Sequence, residues 1–179
     1  MKRHDIIDKL INTHQSFIDY VVALPDESFL FINNGKWTAG QQLDHIKRAV
    51  KPLVQILSLP KFLIKQMFGK ANRQSKSYDD IVKKYLGKLE NGGVATGRFV
   101  PATISLDQKE KLATLLSDFV NRLTSKINNY SEEELDTFII PHPLLGKLTV
   151  REMMYFTIYH VEHHHRIAKR NLERNYFRQ

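Results

Sequence analysis

The chain contains no cysteine among its 179 residues. Disulfide bonds, thiolate metal ligands and a cysteine nucleophile are therefore excluded. Any metal ion has to be held by histidine, aspartate or glutamate, and any reacting thiol has to arrive with a second substrate. No run approaches the ~20 consecutive apolar residues of a membrane-spanning helix, and the first residues show no signal-peptide core. We therefore expect a cytoplasmic protein with no membrane partner.

Acidic residues are the scarcer charged class. There are 19 Asp and Glu against 27 Lys and Arg, which gives a formal net charge of +8. Such a charge permits weak attraction to nucleic acid. The basic residues are scattered, however, with denser zones only at 61–76 and 166–178, and aromatic side chains are not interleaved with them in a nucleic-acid motif. We interpret the charge as a solvated basic surface and do not expect nucleic-acid binding.

Four long segments carry apolar residues with the 3.6-residue period of amphipathic helices, at about 3–24, 38–59, 105–127 and 149–168. Thr38, Ser105 and Thr149 are suitable N-caps, with Gln41 or Gln42, Gln108 and Glu152 as reciprocal partners. Residues 61–101 are less regular, with short helical pieces and a glycine-rich return, and no segment shows a strong strand pattern. The length predicts one domain, residues 1–179. The fold prediction is all-α: a four-helix bundle with a long irregular connection between helices 2 and 3.

Local features add detail to this prediction. Pro52 lies inside the second helical pattern, where it lacks the amide that would bond the Arg48 carbonyl, so we expect a kink. Pro141, His142, Pro143 and Gly146 predict a tight connection before the last helix. The predicted buried stripe of the first helix is Ile7, Leu10, Ile11, His14, Phe17, Ile18 and Val21.

Four of the eight histidines cluster between residues 160 and 165 of the last helix. His160 and His164 are spaced i and i+4, so they share one helical face, roughly 6 Å apart along the axis, in line with the apolar stripe. With a third ligand, two such imidazoles form an open metal site of the kind that activates water. His163 is the rival partner of His160, but its column is mostly polar, so the helical face favours His164. His165 is predicted to face solvent.

A third ligand has to come from another helix. His45 lies near the start of the second helix on its apolar side, as a metal site inside a bundle requires. His14 also lies on an inward stripe, where it is either a hydrogen-bonded core residue or part of a cavity wall. For His142, a turn role or a surface position is favoured over ligation. The candidate ligands are His45, His160 and His164; the alternative is that they are hydrogen-bonded core imidazoles without a metal.

Several segments together resemble the DinB-like (YfiT-like) metalloprotein superfamily over most of the chain. Residues 37–45, WTAGQQLDH, resemble the family pattern W-[ST]-x-x-[EQ]-x-[LV]-x-H, and residues 142–152 are similar to its H-P-x-x-G-x-[LM]-T segment. The H-x-x-x-H pair at 160 and 164 and the tripeptide FVP at 99–101 also resemble family segments. The resemblance implies a four-helix bundle and a divalent ion, nickel or zinc, bound by His45, His160 and His164. As in many members, it also implies a homodimer.

Characterised members of this superfamily include S-transferases and isomerases that use bacillithiol, mycothiol or glutathione. The resemblance therefore implies a metal-dependent enzyme, with S-transfer from a low-molecular-weight thiol as the leading hypothesis. A metal-dependent hydrolase is one alternative. Another is a non-catalytic stress-response or binding protein whose structural metal site is closed by a fourth ligand, such as His14 or His163. No general base is assigned, since Glu162 is predicted to point away from the ligand face.

Overall fold

The computed structural model of the chain describes residues 1–176, with side chains described to Glu173. This part of the chain is mostly helical, as predicted, and no helix in it is both long and apolar enough to cross a membrane. The elements, in chain order, are α1 Arg3–Val22, α2 Asp26–Leu30, α3 Ala39–Leu57, α4 Lys61–Phe68, α5 Tyr78–Glu90, α6 Lys109–Asn128, α7 Glu132–Thr137, β1 Ile139–His142, β2 Gly146–Thr149 and α8 Val150–Tyr176.

The four long helices α1, α3, α6 and α8 correspond to the four periodic segments of the sequence. Helix α1 packs against α6 and α8, and α3 packs against the same two helices. Leu10, Leu43, Leu116 and Val161, one from each helix, are buried in the shared core. The core therefore joins α3 and α8, the helices that carry the three candidate ligands.

Reciprocal caps fix where several helices begin. The Thr38 hydroxyl accepts a hydrogen bond from the amide of Gln41 at 3.1 Å, and the Gln41 side chain accepts one from the Thr38 amide at 3.0 Å. Thr149 and Glu152 form the same pair at the start of α8. Gln41, rather than Gln42, is thus the capping partner, which leaves Gln42 available for another contact.

Some details of the sequence prediction were wrong. Residues 139–149, where the sequence showed no strong strand pattern, form an antiparallel hairpin in which His142 pairs with Gly146. Strands this short are stabilised by their pairing and packing rather than by their own sequence pattern. In α1, Ile11 is 39% exposed and Ile6 is buried instead, so the stripe is shifted. The kink expected at Pro52 stays a prediction, since helix α3 includes Pro52 and runs on to Leu57.

The basic zone at 61–76 is more than a solvated surface. Arg73 donates two hydrogen bonds to the fully buried carboxylate of Glu152, at 2.5 and 2.9 Å, and the Lys76 amide donates a third at 2.7 Å. These bonds fasten residues 73–76 to the start of α8. Burial raises the pKa of Glu152, but the same bonds hold it below its usual value. The second basic zone reaches residue 178, and residues 177–179 lie outside the described part of the chain.

Candidate metal centre

Three histidines from two helices meet in the core. His45 comes from the second turn of α3, and His160 and His164 come from successive turns of α8. Their exposed fractions are 5%, 7% and 6%. Each offers one ring nitrogen to a group in which all three atoms lie within 4.8 Å of one another. These are the three residues that the sequence predicted as ligands, and the structure brings them together.

The separations of the ring nitrogens are suited to a metal ion. The Nε2 atom of His160 lies 3.2 Å from Nε2 of His45 and 3.1 Å from Nε2 of His164. Two nitrogens bound to one tetrahedral zinc ion at about 2.0–2.1 Å lie roughly 3.3 Å apart. Little movement of the rings would therefore be needed to hold such an ion.

The far nitrogens of two rings are held by hydrogen bonds. Nδ1 of His45 lies 2.7 Å from the carbonyl oxygen of Phe99, and Nδ1 of His164 contacts the side-chain oxygen of Gln42. A carbonyl oxygen only accepts, so each Nδ1 carries the proton, and in a neutral ring Nε2 is then a bare acceptor. Two bare acceptors thus face His160, whose Nε2 has at most one proton to offer, and a cation satisfies all three. Hydrogen bonds of this kind orient metal-binding histidines in proteins.

Burial keeps these imidazoles neutral. Desolvation lowers the pKa of His45, although its bond to the Phe99 carbonyl opposes the shift. The pKa values of His160 and His164 lie well below the usual value because both rings are buried beside other imidazoles. Metal binding requires the neutral form, so the folded protein presents these side chains in the state that can bind an ion.

A cleft of about 380 Å³ reaches the three histidines from the surface. Trp37 lies beside them, with its ring centroid 5.0 Å from that of His45. Phe156 stacks on His160 at 4.8 Å. Much of the remaining wall is apolar, with side chains from α3, the hairpin and the segment before α6. The site is therefore accessible to a small molecule while its ligand atoms stay largely shielded from bulk water.

The other histidines have different roles. His163 lines the cleft, but its ring does not join the group of three; burial and then Arg166 and Arg170 lower its pKa to about 4. His142 has the predicted turn role, since its Nδ1 accepts hydrogen bonds from the amides of Leu144 and Leu145 at 3.1 and 3.0 Å. It also lines the cleft beside Phe156, which the sequence did not predict.

His14 of α1 and His165 of α8 do not line the cleft. His14 is buried, with Nδ1 2.7 Å from the Leu10 carbonyl, and is a core residue that does not line the cleft. The prediction that His165 faces solvent was wrong. Its ring is half-buried against Phe17 and Tyr20 of α1, with centroids 5.6 and 4.8 Å away.

Sequence reasoning missed two residues of this site. Gln42 was considered only as a cap, yet it contacts His164. Its position three residues before His45, on the buried face of α3, was the available signal. Tyr85 of α5 lines the cleft with its ring 5.9 Å from that of His160. Glu162, by contrast, accepts a hydrogen bond from the Tyr78 hydroxyl at 3.4 Å and does not line the cleft.

A helical protein with three convergent, buried and neutral imidazoles at the base of a cleft belongs to the class of candidate metalloproteins. The chain belongs to the DinB superfamily, whose sequence profile matches residues 9–168, a span that includes all three histidines. No curated protein and no solved structure shows significant similarity to it.

Proposed function

We propose that His45, His160 and His164 bind one divalent ion, nickel or zinc, and that the protein is a metal-dependent S-transferase using a low-molecular-weight thiol. The observation that carries the proposal is the convergence of three Nε2 atoms, two of which belong to rings whose Nδ1 is held by Phe99 or Gln42. An ion at this site would lower the pKa of a thiol or water bound to it. The chain supplies no thiol of its own, since it lacks cysteine.

The residues around the histidines have three tasks in this proposal. Phe99 and Gln42 keep the protons on the Nδ1 atoms, so that the Nε2 atoms stay free to bind. Trp37 and Phe156 pack against the imidazoles and limit the access of water from two sides. The cleft brings a second substrate towards the thiol, which replaces an encounter in solution by an oriented one.

Two observations favour transfer over the alternatives. Among the described residues that line the cleft there is no carboxylate, whereas metal-dependent hydrolases of the HExxH type use a glutamate as general base. Hydrolysis by the same centre is therefore the second candidate. A structural metal site would be closed, but neither His14 nor His163 joins the group of three, and that group borders the cleft.

We propose further that α1, α3, α6 and α8 form a four-helix bundle, with α4 and α5 in the connection between its second and third helices. In this proposal residues 1–179 are one domain that works in the cytoplasm as a homodimer, without nucleic acid. The pairwise packing of the four helices supports the bundle. Sedimentation velocity tests the dimer, and a single monomeric species at micromolar concentration would contradict it.

Activity with a panel of thiols tests the function. Zinc- or nickel-loaded protein is assayed with bacillithiol, mycothiol or glutathione and chlorodinitrobenzene, after subtraction of the uncatalysed reaction. We expect turnover with at least one thiol, lost on chelation and in His45→Ala, and retained in Gln55→Ala, which changes an exposed residue of the same helix. Circular dichroism checks that His45→Ala is folded.

Two results would contradict the proposal. Loaded protein that turns over no thiol would count against transfer. Metal-dependent cleavage of an ester, unaffected by added thiol, would favour the hydrolase.

A further inference from the structure

Beyond the histidines, much of the wall of the cleft is apolar. On the α3 side it is formed by Ala49, Pro52, Leu53 and Ile56, which recur at helical spacing. The hairpin contributes Leu144 together with Pro141 and Pro143. Pro52, for which the sequence predicted only a kink, thus lies in the wall. Its ring adds a rigid apolar surface and it has no amide to be left unbonded.

The size of the cleft exceeds what a thiol group alone would occupy. Ligand sites for molecules of metabolite or drug size have volumes of about 300–1,000 Å³ and mostly apolar linings. The cleft, at about 380 Å³, lies in this range. An apolar body is therefore expected next to the reacting group, because burial in such a wall removes apolar surface from water.

The described lining of the cleft contains one charged side chain. Of its described lining residues, Arg98 alone carries a formal charge at neutral pH, since the imidazoles are neutral and there is no carboxylate. The guanidinium of Arg98 lies over the ring of Phe99 at 5.1 Å. Its backbone carbonyl accepts a hydrogen bond from Arg48 at 3.3 Å, which ties it to α3. A cationic substrate would find no counter-charge here, whereas an anion would find one at the exposed rim.

We infer that the cleft binds an elongated molecule with three parts: a donor group at the histidines, an apolar ring-sized body against Pro52, Leu53 and Leu144, and a carboxylate or similar anion at Arg98. This inference rests on the proposed function for the donor end. It assigns a substrate class, the apolar-bodied anion, and a residue, Arg98, that selects for it.

Three thiols test the contributions of the ring and of the anion separately. They are 4-mercaptophenylacetate, with ring and anion; 4-methylbenzenethiol, with the ring alone; and 3-mercaptopropionate, with the anion alone. Cobalt(II)-loaded protein is titrated with each, and binding is measured by calorimetry and by the thiolate-to-cobalt charge-transfer band. We expect 4-mercaptophenylacetate to bind at least about tenfold more tightly than 3-mercaptopropionate. It should bind about threefold more tightly than 4-methylbenzenethiol, as for an ion pair at an exposed site.

Matched variants assign these differences to the wall and the rim. Arg98→Gln should remove the preference for 4-mercaptophenylacetate over 4-methylbenzenethiol, whereas Lys51→Gln, at an exposed position of α3 away from the cleft, should leave it unchanged. Ala49→Met, which fills the cleft, should weaken both ring-bearing thiols about tenfold and spare 3-mercaptopropionate. Gln55→Met is its control on the outer face of α3.

The outcomes distinguish this inference from the proposed function. Equal affinity for all three thiols, with a charge-transfer band for each, would overturn the substrate class and leave the metal-bound thiol standing. An anion preference that survives Arg98→Gln would overturn the role of Arg98. If no thiol gives a band, the proposed function fails. The cleft is then tested in metal-free protein with 4-methylphenylacetate, whose binding should weaken in Arg98→Gln and Ala49→Met; absence of binding would overturn the inference.

Discussion

Gln42 gives the sharpest test of how the histidines are oriented. Gln42 is 2% exposed, and its side-chain oxygen accepts a hydrogen bond from His164 Nδ1. Gln42→Leu removes the acceptor and leaves a buried N–H donor, which costs roughly 1–3 kcal/mol. The imidazole avoids this cost by moving its proton to Nε2, where Nε2 of His160 lies 3.1 Å away and can accept it. The metal-free protein is therefore only mildly affected.

Metal binding has to reverse that proton shift, because Nε2 of His164 must be bare to bind an ion. The cost of the unpaired N–H donor then lowers the affinity for the metal ion. We expect zinc to bind about 10- to 100-fold more weakly to Gln42→Leu than to the wild type. Competition with a chromophoric chelator measures the affinity, and thermal unfolding in chelator checks the fold. Gln42→Glu keeps an acceptor and should bind zinc at least as tightly as the wild type, and Gln55→Leu should be neutral. Wild-type affinity in a folded Gln42→Leu variant would refute the reasoning.

Three further predictions concern stability. The pKa of buried His14 is lowered from 6.5 to about 4, so the unfolded chain binds its proton first and stability falls as pH drops through this window. The free energy of unfolding of metal-free protein is measured with denaturant at about pH 7 and pH 5. Its decrease between these two pH values should be smaller by ~2 kcal/mol in His14→Leu than in the wild type. An equal decrease in both proteins would argue against a neutral His14. Asp44→Asn weakens ion pairs to Lys47 and Arg48 and should destabilise the fold by ~2 kcal/mol in urea. An effect below about 0.5 kcal/mol would mean that these pairs are replaced by water. Glu152→Gln should lower the hydrogen-exchange protection of the Lys76 amide, and protection equal to the wild type would show that the contact is not needed.

The long helices could be predicted because their signals are local. Apolar periodicity and reciprocal caps act within a few residues, and the caps at Thr38 and Thr149 are confirmed. The hairpin at 139–149 was missed because its strands have four residues each and one contains a proline. Short strands of this kind are stabilised by their pairing and by packing against the helices, which the sequence pattern does not display.

In the candidate site, as in the fold, the features with a local signal could be predicted and the long-range contacts could not. The i, i+4 spacing and the apolar face selected His160 and His164 over His163, and burial agrees with that choice. The contact between Gln42 and His164 spans 122 residues, so the spacing from His45 could place Gln42 near the site but could not show its partner. The error at His165 has a physical cause. Helix α8 packs against α1, α3 and α5, so its buried surface is wider than the single stripe assumed for a helix at the surface.

Metal content is the most direct measurement of the central claim, that His45, His160 and His164 form one binding site. The protein is purified without a histidine tag and without added metal, and its metals are determined by elemental analysis together with His45→Ala, His160→Ala, His164→Ala and the control His4→Ala. We predict close to one nickel or zinc ion per chain in the wild type and in His4→Ala, and loss of the ion in each of the other three variants. A wild-type protein that binds no divalent ion even after incubation with zinc or nickel would contradict the claim, as would metal retained in the three variants.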